Sequence, residues 1–251
     1  MRINTNVGAL TASRNIFINN MAVESSMRKL SSGLKISRAA DDAAGLSIAN
    51  KLRTQSRALT QAASNAEQGN AMLQIAEGAA QTIERIIERQ KELLVQQAST
   101  GNNSSVSATL ATEVSTLGTE ASRILADADF QGASVFASLT FQVSDSAGDT
   151  VTVGATLSYT APTSLATADT QLAAVNATLA TIGAGQNVLD YTVQNLKSAV
   201  VNVRAAESTI RDVDMAEEMA NFTKNNILKE AAQAMLGQAN QGSQSILQLL
   251  R

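Results

Sequence analysis

The chain has 251 residues and a net charge of −3, with no His, no Cys, no Trp and 1 Pro. Those absences exclude a Ser-His-Asp triad, an ordinary zinc, haem or iron–sulfur site, and any disulfide, so no cofactor and no metal is implied. The acidic balance argues against nucleic acid as a partner. No stretch approaches the ~20 apolar residues of a membrane span. Hydrophobic residues make up 44%, enough for a folded core, yet aromatics are only 3% and Ala is about one residue in six. Small apolar side chains with almost no Pro suit long, closely packed helices. Met1–Asn6 lacks the continuous apolar segment of a cleavable signal peptide, which taken alone points to the cytoplasm.

From Ile3 to about Leu34 apolar residues recur at helical spacing. Val7, Leu10, Phe17 and Met21 form one stripe. Ile16, Val23, Met27, Leu30 and Leu34 form an adjacent one. Gly33 is a natural stop, because glycine takes the left-handed cap cheaply. Asp41 and Asp42 are N-cap candidates for the next helix. Without further ligands they read as a cap rather than as acid–base or calcium chemistry.

From Ile48 onward the pattern is a sustained heptad: Leu52, Gln55, Leu59, Ala62, Ala66, Gly69, Leu73, Ala76, Ala80, Ile83, Ile87, Gln90 and Leu94. It predicts a helix on the order of 70 Å long. Gln55, Gly69 and Gln90 at core positions set register and allow close backbone approach. Ser99 to Ser105 is a turn. A third helix carries Leu110, Val114, Leu117, Ala121, Ile124 and Ala128, and should return antiparallel to the second. Phe141 and Val143, a turn at Asp145–Asp149, and then Val151, Val153, Ala155, Leu157 and Tyr159 read as one β-hairpin, at about residues 139–160. Pro162 to Thr170 reads as a linker. Heptads resume from Leu172 to Ile210 and hold phase across Gly183 and Gly185. Asp212 and Asp214 mark a break. Leu228, Ala232, Met235, Ala239, Gly242, Ile246 and Leu249 form the last stripe.

The predicted fold is therefore mainly α: a long antiparallel coiled-coil rod with one small β-hairpin and with its terminal helices paired. Residues 1–42 with 212–251 should form one domain, and residues 43–211 another. A thin rod buries little apolar area by itself. The terminal helices have at most one neighbour in the chain, so their remaining apolar faces should seek partners. Repeated contact between identical rods does not generally close, and an open helical filament follows. Val7, Leu10, Phe17, Met21, Leu228, Met235, Ile246 and Leu249 are the expected assembly residues. A chemoreceptor-like signalling coiled coil is the alternative of a different class, although such a coil would not normally carry a β-hairpin and two matching apolar tails.

The run Ile36-Ser-Arg-Ala-Ala-Asp-Asp-Ala-Ala-Gly45 followed by Leu-Ser-Ile-Ala-Asn-Lys-Leu52 resembles the N-terminal signature of bacterial flagellins. Met1-Arg-Ile-Asn-Thr-Asn6 is similar to their start. Ile227-Leu-Lys-Glu-Ala, Met235-Leu-Gly-Gln-Ala-Asn-Gln241 and Ile246-Leu-Gln-Leu-Leu-Arg251 resemble their end. The similarity covers roughly residues 1–140 and 165–251. It implies a structural, non-enzymatic subunit of the flagellar filament, a homo-oligomer exported by the flagellar type III apparatus and located outside the cell. It also implies dealings with an export chaperone, the filament cap and hook-junction proteins. A hook–filament junction protein is the nearest alternative. The short connection from Tyr159 to Leu172 implies a form without outer variable domains. The resemblance places a contact for a host Toll-like receptor at Arg89, Leu93 and Glu113, while Gln90 and Leu94 depart from the family's usual residues. Val188 stands where the family commonly has Arg, and Gly242-Ser243 where many members have Val-Pro. Asn102-Asn-Ser104 fits a weak glycosylation sequon; O-linked sugars on exposed Ser or Thr are more usual in the family.

Overall fold

The computed structural model describes residues 6–99, 101, 103–146 and 148–249, with side chains as far as residue 242. Ile3 of the first stripe and Asn102 of the sequon lie outside the described residues. Among those described, the order is α1 (Val7–Ser32), α2 (Ala43–Gln97), α3 (Ser104–Asp127), β1 (Asp129–Phe130), β2 (Ala133–Ser134), β3 (Ser138–Gln142), β4 (Thr150–Gly154), α4 (Leu165–Arg211) and α5 (Met215–Leu249). The fold is mainly α, as the sequence predicts. The chain divides into two compact units, residues 1–54 with 203–251 and residues 55–202.

In the unit of residues 55–202, α2 supplies the central seam. Leu59, Ala62, Ala66, Gly69, Leu73, Ala76, Ala80, Ile83, Ile87, Gln90 and Leu94 are all buried, the heptad phase read from the sequence. Helix α3 runs antiparallel to α2. Gln90 Nε2 donates to the Val114 carbonyl at 2.9 Å, and Gln97 Nε2 to the Ser107 carbonyl at 3.5 Å. Helix α4 is also antiparallel to α2, linked by Lys197–Glu67 at 2.7 Å and Lys91–Asp169 at 2.6 Å. It is continuous across Gly183 and Gly185. The apolar core changes partners along α2. Leu73 and Ala76 meet Val153, Ile182 and Leu189, then Ile83 and Ile87 meet Ala121 and Val175, and Leu93 and Leu94 meet Leu110, Val114 and Ala168.

Three glycines let β-structure and extended chain seat against the helices. A Cβ built on Gly69 of α2 would lie 3.0 Å from the Phe141 ring. One on Gly185 of α4 would lie 2.7 Å from Val153, and one on Gly118 of α3 would lie 2.9 Å from Ala161. Gln90 is fully buried and satisfied at both ends, because its Oε1 accepts from the Tyr159 hydroxyl at 3.0 Å. Burial raises the Tyr159 hydroxyl above its ordinary pKa.

Several local expectations are corrected. The main hairpin pairs β3 with β4, with Phe141 opposite Val151 and Leu139 opposite Val153. It therefore spans residues 138–154. Ala155 and Leu157 are buried in the helical core rather than paired in the ladder. A second hairpin, β1–β2, was not legible as alternation because its strands have two residues each. Its turn is made by Gln131 and Gly132, both at positive φ, which matches the twist of a tight hairpin. The linker read at residues 162–170 is helical from Leu165. Ser164 Oγ accepts from Thr167 N–H at 3.3 Å, and Thr167 Oγ1 accepts from Ser164 N–H at 2.9 Å. This is a reciprocal cap with Thr in place of the usual Glu. At the start of α2 the seam is one residue out of the expected phase: Ala49 and Ser56 are buried, and Ile48 is exposed.

In the unit of residues 1–54 with 203–251, the caps are those the sequence offers. Gly33 ends α1 at φ 69°. Asp42 caps α2 by accepting from Gly45 N–H at 2.9 Å, and Asp214 caps α5 by accepting from Ala216 N–H at 2.9 Å. Asp41 instead staples the preceding turn, accepting from the N–H groups of Arg38 and Ser37. Those two N–H bonds hold its carboxyl below the usual carboxylate range. The ends of α1 and α4 are tied by a bridge at Leu34 and Asp212, with Lys35 N–H on the Arg211 carbonyl at 2.7 Å and Val213 N–H on the Gly33 carbonyl at 3.0 Å.

Two substitutions two residues apart on α4 should act in opposite directions. Gly185→Ala places a methyl into Val153 and should cost about 1–3 kcal/mol. Gly183→Ala meets open space and should gain about 0.5–1 kcal/mol from helix propensity. Urea unfolding of the two variants checks both signs.

Candidate assembly surface

Helices α1 and α5 pack against each other antiparallel. Asn6 caps α1 by accepting from Ala9 N–H at 3.1 Å and donates from Nδ2 to the Ala239 carbonyl at 3.0 Å. Near the other end Lys29 pairs with Glu218 at 3.6 Å. The two helices are in contact with each other.

The residues on the seam explain the close approach. Ala9, Ala12, Ile16, Asn19, Val23, Ser26 and Leu30 are the buried or half-buried positions of α1 at alternating spacings of three and four. On α5 the matching series is Glu218, Phe222, Asn225, Lys229, Ala232, Leu236 and Ala239. Ala and Ser let backbones meet, while Asn19, Asn225 and Lys229 fill seam positions without apolar burial.

The expected assembly residues fall elsewhere. Leu10 is 69% exposed and Phe17 66% exposed, and Val7 and Met21 are exposed with them. At about 100° per residue Leu10, Phe17 and Met21 lie on the side of α1 opposite its seam. Leu228 and Met235 are exposed on α5. They line a shallow groove together with Val7, Gly8, Ala12 and Ile18 of α1. The structure thus brings Val7, Leu228 and Met235 onto one face and leaves Leu10, Phe17 and Met21 on another. Ile246 and Leu249 belong to the last turns of α5, and their side chains lie outside the described residues.

The sequence stripes missed Ile18, Met215, Met219 and Ile227, which are also exposed. Met219 and Ile227 line a further apolar patch with Ala220, Thr223 and Leu228. A full helical wheel, rather than a single stripe, would have found them. Each such side chain is worth roughly 1.5–3 kcal/mol when fully buried. The surface is therefore a reservoir of unrealised apolar burial. It offers shape and hydrophobicity, and among the described residues no group of three or more acidic side chains is placed to hold a metal.

The second candidate surface lies in the unit of residues 55–202. Arg89 is exposed and pairs with Glu92 at 2.9 Å and Glu113 at 3.3 Å. Those carboxylates, Glu92 first, raise the guanidinium's already high pKa. Leu93, grouped with Arg89 and Glu113 in the sequence reading, is 2% exposed and packs with Leu94, Leu110, Val114 and Ala168. It belongs to the core beneath the charged pair rather than to that surface.

Comparison with known proteins gives a consistent result. The profile of the bacterial flagellin N-terminal helical region matches residues 3–140, and that of the C-terminal helical region residues 165–250. A flagellin of Halalkalibacterium halodurans is 40% identical over 272 residues, spanning all of both chains. A flagellin of Bacillus subtilis is 36% identical over 310 residues, and a flagellar filament 33 kDa core protein of Treponema phagedenis 37% over 286, each again over the whole of both chains. A crystal structure of Bacillus cereus flagellin aligns with 56% of this chain and 88% of its own, at 23% identity and a TM-score of 0.40.

The division between seam and exposed stripe is testable in the unassembled protein. Ala232→Leu overfills the seam and should destabilise the α1–α5 pair by about 1–3 kcal/mol. Phe17→Ser, on the far face, should change stability by less than about 0.5 kcal/mol. Urea unfolding followed by helical circular dichroism separates the two.

Proposed function

The chain belongs to the bacterial flagellin family, and from that membership we propose how its parts share the building of a filament. It is a structural subunit that polymerises into the flagellar filament of swimming motility. It is a short form without the outer variable domain, and only Ala155–Ser164 links β4 to α4. Both matching profiles are those of flagellin, which sets aside the junction-protein and chemoreceptor readings.

One observation carries the proposed mechanism. The terminal helices are already paired, yet Val7, Leu10, Phe17, Met21, Leu228 and Met235 remain exposed. Pairing within the chain does not satisfy them, so neighbouring copies do. These residues, with Ile246 and Leu249, form the assembly surface. Residues 1–42 with 212–251 make the inner part of the filament wall, and residues 43–211 the outer part. Small sliding between subunits changes the supercoil.

The family supports a route as well as an end state. The subunit is exported by the flagellar type III apparatus with the help of an export chaperone, meets the cap and hook-junction proteins, and ends outside the cell. Arg89 and Glu113 form a surface read by a host Toll-like receptor. Their exposure and ion pair support that role, and Leu93 acts from beneath by fixing the helix that carries Arg89.

Purified protein incubated with a precipitating salt and imaged by electron microscopy should give long tubes of uniform diameter. Short caps or dispersed dimers would contradict the filament reading. A chain ending before Asp214 should stay soluble under the same conditions, and tubes forming from it would remove the terminal helices from the mechanism.

A further inference from the structure

The chain has 7 methionines, and no Cys or Trp that would compete for a mild oxidant. Its thioethers are therefore its most readily oxidised side chains. Their distribution is uneven. Met21, Met27, Met215, Met219 and Met235 are all exposed on α1 and α5, between 49% and 64%. Met72, in the unit of residues 55–202, is partly buried against the core. Met1 lies outside the described residues.

We propose that these five methionines are an oxidation-sensitive modification site that governs whether a free subunit can be incorporated. The proposal rests on the filament reading above. A reduced thioether is apolar and flexible, and suits a contact formed between separately folded copies. Met235 lines the groove shared with Val7 and Leu228, and Met219 lines the patch with Ile227. Both would be covered when those faces are.

Hydrogen peroxide is the oxidant class required. A sulfur lone pair attacks one peroxide oxygen, the S–O bond forms, and the O–O bond breaks. The departing oxygen leaves with the proton as water. Sulfur is oxidised by two electrons and the peroxide is reduced by two. The product sulfoxide is polar and chiral. Covering it in an apolar contact leaves an oxygen without a hydrogen-bond donor. A subunit already in the filament has the same residues covered and is protected. The device thus bars damaged free subunits and spares incorporated ones.

The full chain, before polymerisation, is treated with hydrogen peroxide, cleared with catalase, and mapped by peptide mass spectrometry. Salt-induced polymerisation is then measured. The five methionines should gain oxygen faster than Met72. The oxidised protein should need a roughly tenfold higher concentration to polymerise, as expected for burying unpaired polar groups. Methionine sulfoxide reductases A and B together should restore it. In preformed filaments the five should be protected. A variant carrying Met21→Leu, Met27→Leu, Met215→Leu, Met219→Leu and Met235→Leu should polymerise equally before and after peroxide. If that variant does not polymerise, restoration by the reductases decides the matter. Oxidised protein polymerising at the untreated concentration, or equal oxidation of the five in filaments, would overturn the proposal. Failure of the untreated protein to polymerise would overturn the filament reading instead.

Discussion

The contact between α1 and α5 uses up little of the apolar surface that those helices carry. Its seam is built from Ala, Ser, Asn, a Lys and a Glu, with Ile16, Val23, Leu30, Phe222 and Leu236 as its larger apolar members. Small residues let the backbones approach, but a close approach of small side chains excludes less water than a seam of large ones. The seam of α2 in the other unit shows the contrast, with Leu73, Ile83 and Ile87 fully buried. One pair of helices is finished when the chain folds. The other leaves Leu10, Phe17, Met21 and Met235 in water, and in the proposed filament a second copy of the chain completes it.

The unit of residues 55–202 has the opposite character. Gln90, a fully buried polar side chain, has both ends bonded. Gly69, Gly118 and Gly185 stand where side chains of the β3–β4 hairpin and the following segment press on the helices. Such contacts are intolerant of volume change. They make a piece with one packed arrangement, suited to be carried by an assembly contact rather than to form by one.

Much of this was legible in the sequence, because the signals were strong and local. Eleven successive heptad positions from Leu59 to Leu94 are buried as the period requires, and Gly33, Asp42 and Asp214 act as the caps their chemistry favours. What failed depended on tertiary context. Ile48 and Ala49 are both apolar, and the period alone did not decide which faces inward. The Ser164–Thr167 cap was read as a linker because hydroxyl-rich runs serve turns and helix starts alike. On the terminal helices Val7, Leu10, Phe17, Met21, Leu228 and Met235 are exposed, but two apolar stripes do not say which one the intrachain partner covers. The choice goes to the stripe with small neighbours, which permits closer backbones. Leu93 follows the same logic. The resemblance grouped it with Arg89 and Glu113 as a contact surface, and the packing of α3 and α4 made it core.

The central claim is that the face of α1 opposite its seam is exposed in the free subunit and buried by other copies in the filament. The chain has no Trp, so Phe17→Trp introduces a single reporter on that face. Its fluorescence, read before and after polymerisation with acrylamide as quencher, tests the claim directly. The account predicts red-shifted, freely quenched emission from the free protein and blue-shifted, protected emission from filaments. Filaments whose reporter stays as exposed as in the free protein would contradict it.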